Sequence, residues 1–157
     1  MPESNQEKVQ STPRPTPVVT NFLLRTDGPA PRLLLVRRSG RVGSYNARWA
    51  GISGFIEQGV SPEEQAYTEI REETGLQPPQ VRLLKRGEVV EYIDEELSRR
   101  WLVHPFLAEA LAPEAIKLDW EAVEMRWIAP TELSSYETVP RLHEALLSAE
   151  QGVSLEA

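Results

Sequence analysis

The sequence predicts an α/β fold, an α/β/α sandwich, and two observations carry that prediction. β-rich runs lie on either side of one well-capped central helix, and a second, amphipathic helix closes the chain. Strands and helices that each hide one face must pack in layers. Taken in order, residues 1–16 mix Ser, Gln and Glu with prolines and little apolar content, and read as a disordered or loosely attached N-terminal arm. Residues 18–24 form the first β-rich run and 33–36 the second, with Asp27-Gly28-Pro29 between them favouring a hairpin. A glycine-containing basic loop spans 37–48, and 49–55 is a short strand leading to the helix. Residues 81–92 and 101–108 read as two further strands joined by acidic Asp94-Glu95-Glu96. A strand at 124–128, a single turn at 130–133 and an amphipathic helix at 139–147 complete the domain, expected to span 17–149 with a tail at 150–157.

Composition narrows the function. With 157 residues the chain is long enough to bury a core as one domain. It has no cysteine, which excludes disulfides, thiol catalysis and zinc–cysteine sites. Two histidines, His104 and His143, are too few for a histidine-rich metal centre. A net charge of −7 argues against broad nucleic-acid binding, which basic surface drives. No apolar run approaches the ~20 residues of a membrane helix, and no apolar export segment stands near the N-terminus. A cytoplasmic protein acting on a small molecule is the expectation.

The central helix is specified locally. Ser61-Pro62-Glu63-Glu64 is a capping box: Ser61 caps, Pro62 suits the first helical position, and Glu64 can reach back to the Ser61 amide. Ala66 and Ile70 give an inward stripe. Gly75 suits the left-handed position that ends a helix, and Pro78-Pro79 prevent its continuation. On such a helix Glu69, Glu72 and Glu73 stand at i, i+3 and i+4 and share one face. Carboxylates that close repel one another, and a hard divalent cation such as Mg²⁺ or Mn²⁺ relieves that repulsion. A bare Glu-x-x-Glu-Glu is commonly just a solvated acidic face; the glycines and cap in register around it set this one apart.

Residues 54–76 resemble the Nudix box, Gly-x5-Glu-x7-Arg-Glu-U-x-Glu-Glu-x-Gly-U, where U is aliphatic. Gly54, Glu69, Ile70, Glu72, Glu73, Gly75 and Leu76 match, whereas Val60 stands where the box has Glu and Thr68 where it has Arg. The resemblance extends over roughly residues 17–149 and implies a Nudix-type α/β/α sandwich with a mixed sheet. It implies metal-dependent hydrolysis of a diphosphate bond in a nucleoside diphosphate linked to another moiety. Glu69, Glu72, Glu73 and the Gly54 carbonyl are then the metal ligands for Mg²⁺ or Mn²⁺, and Glu69 is the candidate catalytic base. The family arginine orients the glutamates through charge-assisted bonds, so Thr68 should leave them less firmly held, with Arg71 a partial substitute. Val60 removes a peripheral ligand.

Family members also recruit an acid from a downstream loop, for which Glu91, Asp94, Glu95, Glu121 and Glu124 are the candidates. Arg37, Arg38 and Arg48, with Glu121, are the candidate substrate-side residues, since phosphate contacts are useful just ahead of the box. Tyr45, Trp49 and Trp120 could stack on a base, although aromatics more often build the core. The partner is a nucleotide-type small molecule. A homodimer is compatible with the family, and no sequence pattern fixes it. Because of Val60 and Thr68, the competing reading is a catalytically weakened Nudix-fold module that binds nucleotides or regulates a partner.

Overall fold

Alternation along the first two strands sets the layers. In the computed structural model, which describes residues 12–153, β1 runs Arg14–Arg25 and β2 Arg32–Arg38. Successive side chains on a strand point to opposite faces. Phe22, Leu24, Leu33 and Leu35 therefore enter one core with Trp101, Val103, Leu107, Leu142, Ala145 and Leu146. Leu23 and Leu34 enter a second with Ile52, Ile70, Leu76 and Ala108, and Val19 on that same face meets Ala66 and Phe106. A sheet apolar on both faces needs a cover on each. Helix α1 (Pro62–Thr74) covers one face and α2 (Leu142–Glu150) the other. The expected α/β/α sandwich is the structure found.

The remaining strands are β3 (Trp49–Ala50), β4 (Ile52–Phe55), β5 (Val81–Arg86), β6 (Val90–Asp94), β7 (Arg99–Ala110) and β8 (Ala122–Ile128). The sheet follows the order β3-β2-β1-β7-β5, while β4 also pairs with β1, β6 with β7 and β8 with β2. β1 and β7 run parallel from Arg14↔Arg99 to Leu24↔Glu109, against antiparallel pairs elsewhere, so the sheet is mixed. Among the described residues no helix is long and apolar enough to cross a membrane.

Several expectations are corrected. Residues 14–16, placed in the expected arm, pair with Arg99, Arg100 and Trp101 of β7. Only the part of the expected arm within 1–11 lies outside the described residues. At the other end α2 continues to Glu150, past the expected limit of 149, and Val153 packs on the core. Of the expected tail, 154–157 lie outside the described residues.

The strand expected at 49–55 is two strands. The chain passes from pairing with β2 to pairing with β1 at Gly51, where a Cβ would lie 2.7 Å from the Asn21 carbonyl oxygen. That transfer also shortens the expected hairpin: β1 and β2 pair only at Leu24↔Leu33 and Arg25↔Arg32, since β4 takes Val18 to Asn21. The strand expected at 81–92 is interrupted at 87–89, where α2 comes close and Ser148 Oγ donates to the Glu88 carbonyl at 2.7 Å. The closing helix begins at Leu142 rather than Val139: Pro140 disfavours helical backbone at the residue before it, and Arg141 is left-handed at φ 64°. The central helix follows its signals, with Ser61 Oγ accepting from the Glu64 N–H at 3.1 Å and Gly75 left-handed at φ 79°.

The close approach at Gly87 is testable. A Cβ there would lie 2.6 Å from the carbonyl carbon of Ser148. Gly87→Ala should cost about 1–3 kcal/mol by overpacking, read as a lowered urea midpoint at unchanged slope. A cost below the scatter of surface substitutions would show that α2 tolerates displacement.

Candidate active site

The helical repeat puts Glu69 and Glu73 one turn apart on the α1 face turned towards the sheet, and both are almost fully buried, at 8% and 7% exposure. A third carboxylate, Glu121, arrives from the loop ahead of β8. Its backbone N–H donates to Asp119 Oδ1 at 3.0 Å, and its carbonyl accepts from the Ser39 N–H at 2.9 Å, which ties the loop to the end of β2. Carboxylate oxygens of Glu69, Glu73 and Glu121 lie within 4.8 Å of one another. Gly54 closes the site from β4. A Cβ there would fall 2.0 Å from Glu69 Oε1, so this glycine serves close approach rather than backbone freedom. Gln65, one turn before Glu69, donates from Nε2 to Glu69 Oε1 at 3.2 Å and accepts from the Glu57 N–H at 3.1 Å.

Crowding and burial set the electrostatics. Burial, followed by the charges of Glu121 and Glu69, pushes the Glu73 carboxyl well above the usual range. Burial also pushes Glu69 up, against the hydrogen bonds from Glu73 and Gln65. Glu121 is raised to about 7, by burial first and Asp119 second. Glu73 Oε2 is buried and has no hydrogen-bond partner among the described residues. An orphaned carboxylate oxygen beside two more carboxylates is an all-oxygen donor set, which fits Mg²⁺ or Mn²⁺. Arg38, half-buried, stands in the field of Glu73 and Glu121, which offsets part of what burial costs its charge.

Gly54, Arg38 and Glu121 also line a cleft that holds four aromatic residues, Tyr45, Phe55, Tyr92 and Trp101, among aliphatic and polar neighbours such as Val18, Thr20 and Val139. The Phe55 ring stacks on Trp101 at 6.2 Å and 30°, and the Tyr45 ring lies 6.3 Å from Trp101. The Arg99 guanidinium lies 5.5 Å from the centre of the Phe55 ring and 5.6 Å from that of Trp101. The Tyr45 hydroxyl donates to Asp94 Oδ2, pinning the basic loop across the cleft. The Trp101 Nε1–H is buried and meets no acceptor among the described residues.

Of the residues singled out in the sequence, Glu69, Glu73, Gly54, Glu121 and Arg38 come together. Glu72 does not join the three close carboxylates; it is exposed, yet near enough to push the Glu69 carboxyl up. Arg37 instead pairs with Glu124 at 3.0 Å, and Arg48 reaches the Thr138 carbonyl at 3.2 Å. Arg71 is exposed and forms no ion pair among the described residues, so it does not replace the arginine missing at 68. Trp49 belongs to the core, whereas Trp120 is exposed under Arg41. Sequence reasoning missed Gln65 and Asp119. Gln65 carries a signal, being four residues before Glu69 on a capped helix; Asp119 lies in a loop and carries none.

Residues 14–148 match the model of the NUDIX domain family. The chain belongs to the Nudix family, a family of pyrophosphohydrolases. A curated relative, an octanoyltransferase of Myxococcus xanthus, is 32% identical over 131 residues, covering 82% of this chain and 35% of that protein. The chain thus spans about a third of that relative's length. Three solved structures are similar in fold. An Ap4A hydrolase binary complex from C. elegans shares 16% identity at a TM-score of 0.71, covering 85% of this chain and 93% of that one. The MutT protein of Methanosarcina mazei Go1 shares 21% at 0.70, covering 85% and 91%. The NUDIX domain of Shewanella oneidensis NrtR, complexed with ADP ribose, shares 16% at 0.71, covering 98% and 100%.

Two measurements probe the site itself. Gly54→Ala should displace the Glu69 carboxylate and weaken Mn²⁺ binding at least tenfold in a direct titration while the circular dichroism stays native. Unchanged affinity would mean that Glu69 has room elsewhere. Without divalent ions, the raised carboxyls make the folded chain bind more protons than the unfolded chain above the usual value of 4.5, a window that for Glu121 reaches about 7. Their contribution is fully present below that window and is lost as pH rises through it. Glu73→Gln removes one such group, so its stability advantage over the parent in chelator should grow from pH 5 to pH 8. An advantage independent of pH, measured by urea unfolding, would refute the charge crowding.

Proposed function

We propose that the chain hydrolyses, with Mg²⁺ or Mn²⁺, the diphosphate bond of a nucleoside diphosphate linked to another moiety. The observation that carries this reading is the trio Glu69, Glu73 and Glu121 within 4.8 Å, with a buried, unpartnered oxygen on Glu73. These three carboxylates, with the Gly54 carbonyl, would hold the cation, and exposed Glu72 stands beside them. A bound divalent ion neutralises phosphate oxygens and lowers the pKa of a water.

The chain's own residues supply the rest. Glu69, whose carboxyl burial pushes above its ordinary value, is the candidate proton acceptor. Arg38, at the junction of acids and cleft, offers N–H donors to phosphate oxygens. The aromatic side chains of Tyr45, Phe55, Tyr92 and Trp101 along the cleft suit a flat ring. Ap4A and ADP ribose, named with two of the similar structures, belong to that chemical class. Octanoyl transfer is not carried over, because the chain spans about a third of the relative so named.

A second reading, a nucleotide-binding or regulatory module with weakened catalysis, is favoured by Val60 and Thr68. An assay of phosphate or nucleotide release over a panel of nucleoside diphosphate derivatives separates the two. The parent should turn over at least one substrate, dependent on Mg²⁺ or Mn²⁺. Glu69→Gln should lose ~10²–10⁴-fold in rate if it is the base. Glu63→Gln, at an exposed residue paired with Arg86, should not change it. Tight nucleotide binding with no turnover would select the module; near-parent rates in Glu69→Gln would move the base elsewhere.

A further inference from the structure

We infer that Gln65 is the positioning residue for Glu69, filling the role left open by threonine at 68. The inference rests on the proposed role of Glu69 as ligand and base.

The geometry fixes the amide without ambiguity. The Glu57 N–H can only donate, so it is the Gln65 oxygen that faces it, at 3.1 Å. The Gln65 nitrogen must then face Glu69 Oε1, which it does at 3.2 Å. Turning the amide over would set its NH₂ against an N–H and its oxygen against a carboxylate, two repulsions at once. Gln65 is 3% exposed, so water does not compete for either bond. One buried side chain thereby links the loop before α1, through Glu57, to the carboxylate one helical turn further on. Gly54 stands against the same carboxylate, where even a methyl group would collide. Glu69 is thus held by an amide on one side and confined by glycine on the other. Arg71 is turned to solvent, and Thr68 carries no charge that could do the same.

The test uses the full chain and reads Mn²⁺ affinity by direct titration beside kcat and KM on a substrate from the panel. Gln65→Met keeps the length and removes both hydrogen bonds. Mn²⁺ affinity and kcat should each fall roughly 10- to 100-fold, the usual cost of losing a group that orients a ligand, with KM little changed. Gln65→Leu repeats the measurement should the methionine variant fold poorly. Adding Thr68→Arg to Gln65→Met supplies a cation at the box position and should restore both quantities several-fold. A purely structural loop tie would gain nothing from it.

Parent-like affinity and kcat in Gln65→Met and Gln65→Leu would overturn the inference, as would absence of rescue by Thr68→Arg. If Glu69→Gln is inactive while Gln65→Met is not, the hydrolase reading stands and this inference falls. If the parent binds Mn²⁺ but cleaves no diphosphate, the affinity measurements alone decide Gln65. A parent that does not bind Mn²⁺ overturns both.

Discussion

Mutual repulsion among buried carboxylates is the constraint around which this molecule is arranged. Glu69 and Glu73 are set into the apolar face of α1 beside Ala66 and Ile70, where an uncompensated charge is expensive. The packing of that helix on β1 and β4 offsets the cost. Ala66 and Ile70 are completely buried, and Leu76 just beyond the helix fastens its end. The third acid is held by different means, through backbone hydrogen bonds from Ser39 and to Asp119. Helix packing and loop hydrogen bonding thus converge on one point, and neither would keep three acids together alone.

The local parts of this arrangement are legible in the sequence because their causes are local. Ser61, Pro62 and Gly75 delimit α1 by capping chemistry that acts within a few residues, and the i, i+4 spacing alone fixes that Glu69 and Glu73 share a face. What could not be read depends on distant partners. Glu121 was named with four other acids for the downstream ligand and also on the substrate side, and only the pairing of β2 with β8, which draws its loop to Ser39, sets it beside the helix carboxylates. The breaks at Gly51 and at 87–89 coincide with a strand changing partners and with the close approach of α2, neither of which leaves a periodic trace. Spacing likewise set Glu72 beside Glu73, but adjacent helical residues diverge around the axis, and only Glu73 turns inward.

Val60 and Thr68 gain meaning from what surrounds them. Val60 lies in the turn before α1, where its N–H donates to the Glu57 carbonyl at 3.1 Å, so the backbone there is ordered without a carboxylate. Arg38, reaching in from β2, puts a guanidinium near Glu73 and Glu121 from outside the box. A pattern scored residue by residue records two losses; the three-dimensional arrangement contains a cation and an amide that such a score does not count.

The parallel pairing of β1 with β7 has a consequence for how the chain acquires this shape. Nearly half of the polypeptide, residues 26–98, lies between the two partners, so the central ladder joins segments far apart in sequence, and such contacts form slowly. During synthesis, β1, β2 and β4 emerge long before β7 can cover the open edge of β1. A nascent chain ending before residue 99 would expose that edge, bare hydrogen-bonding groups flanked by Val19, Phe22 and Leu23, to any other strand within reach. The hazard lasts until the last third of the protein arrives, which also brings Phe106 and Ala108, against which Ala66 and Ile70 of α1 pack.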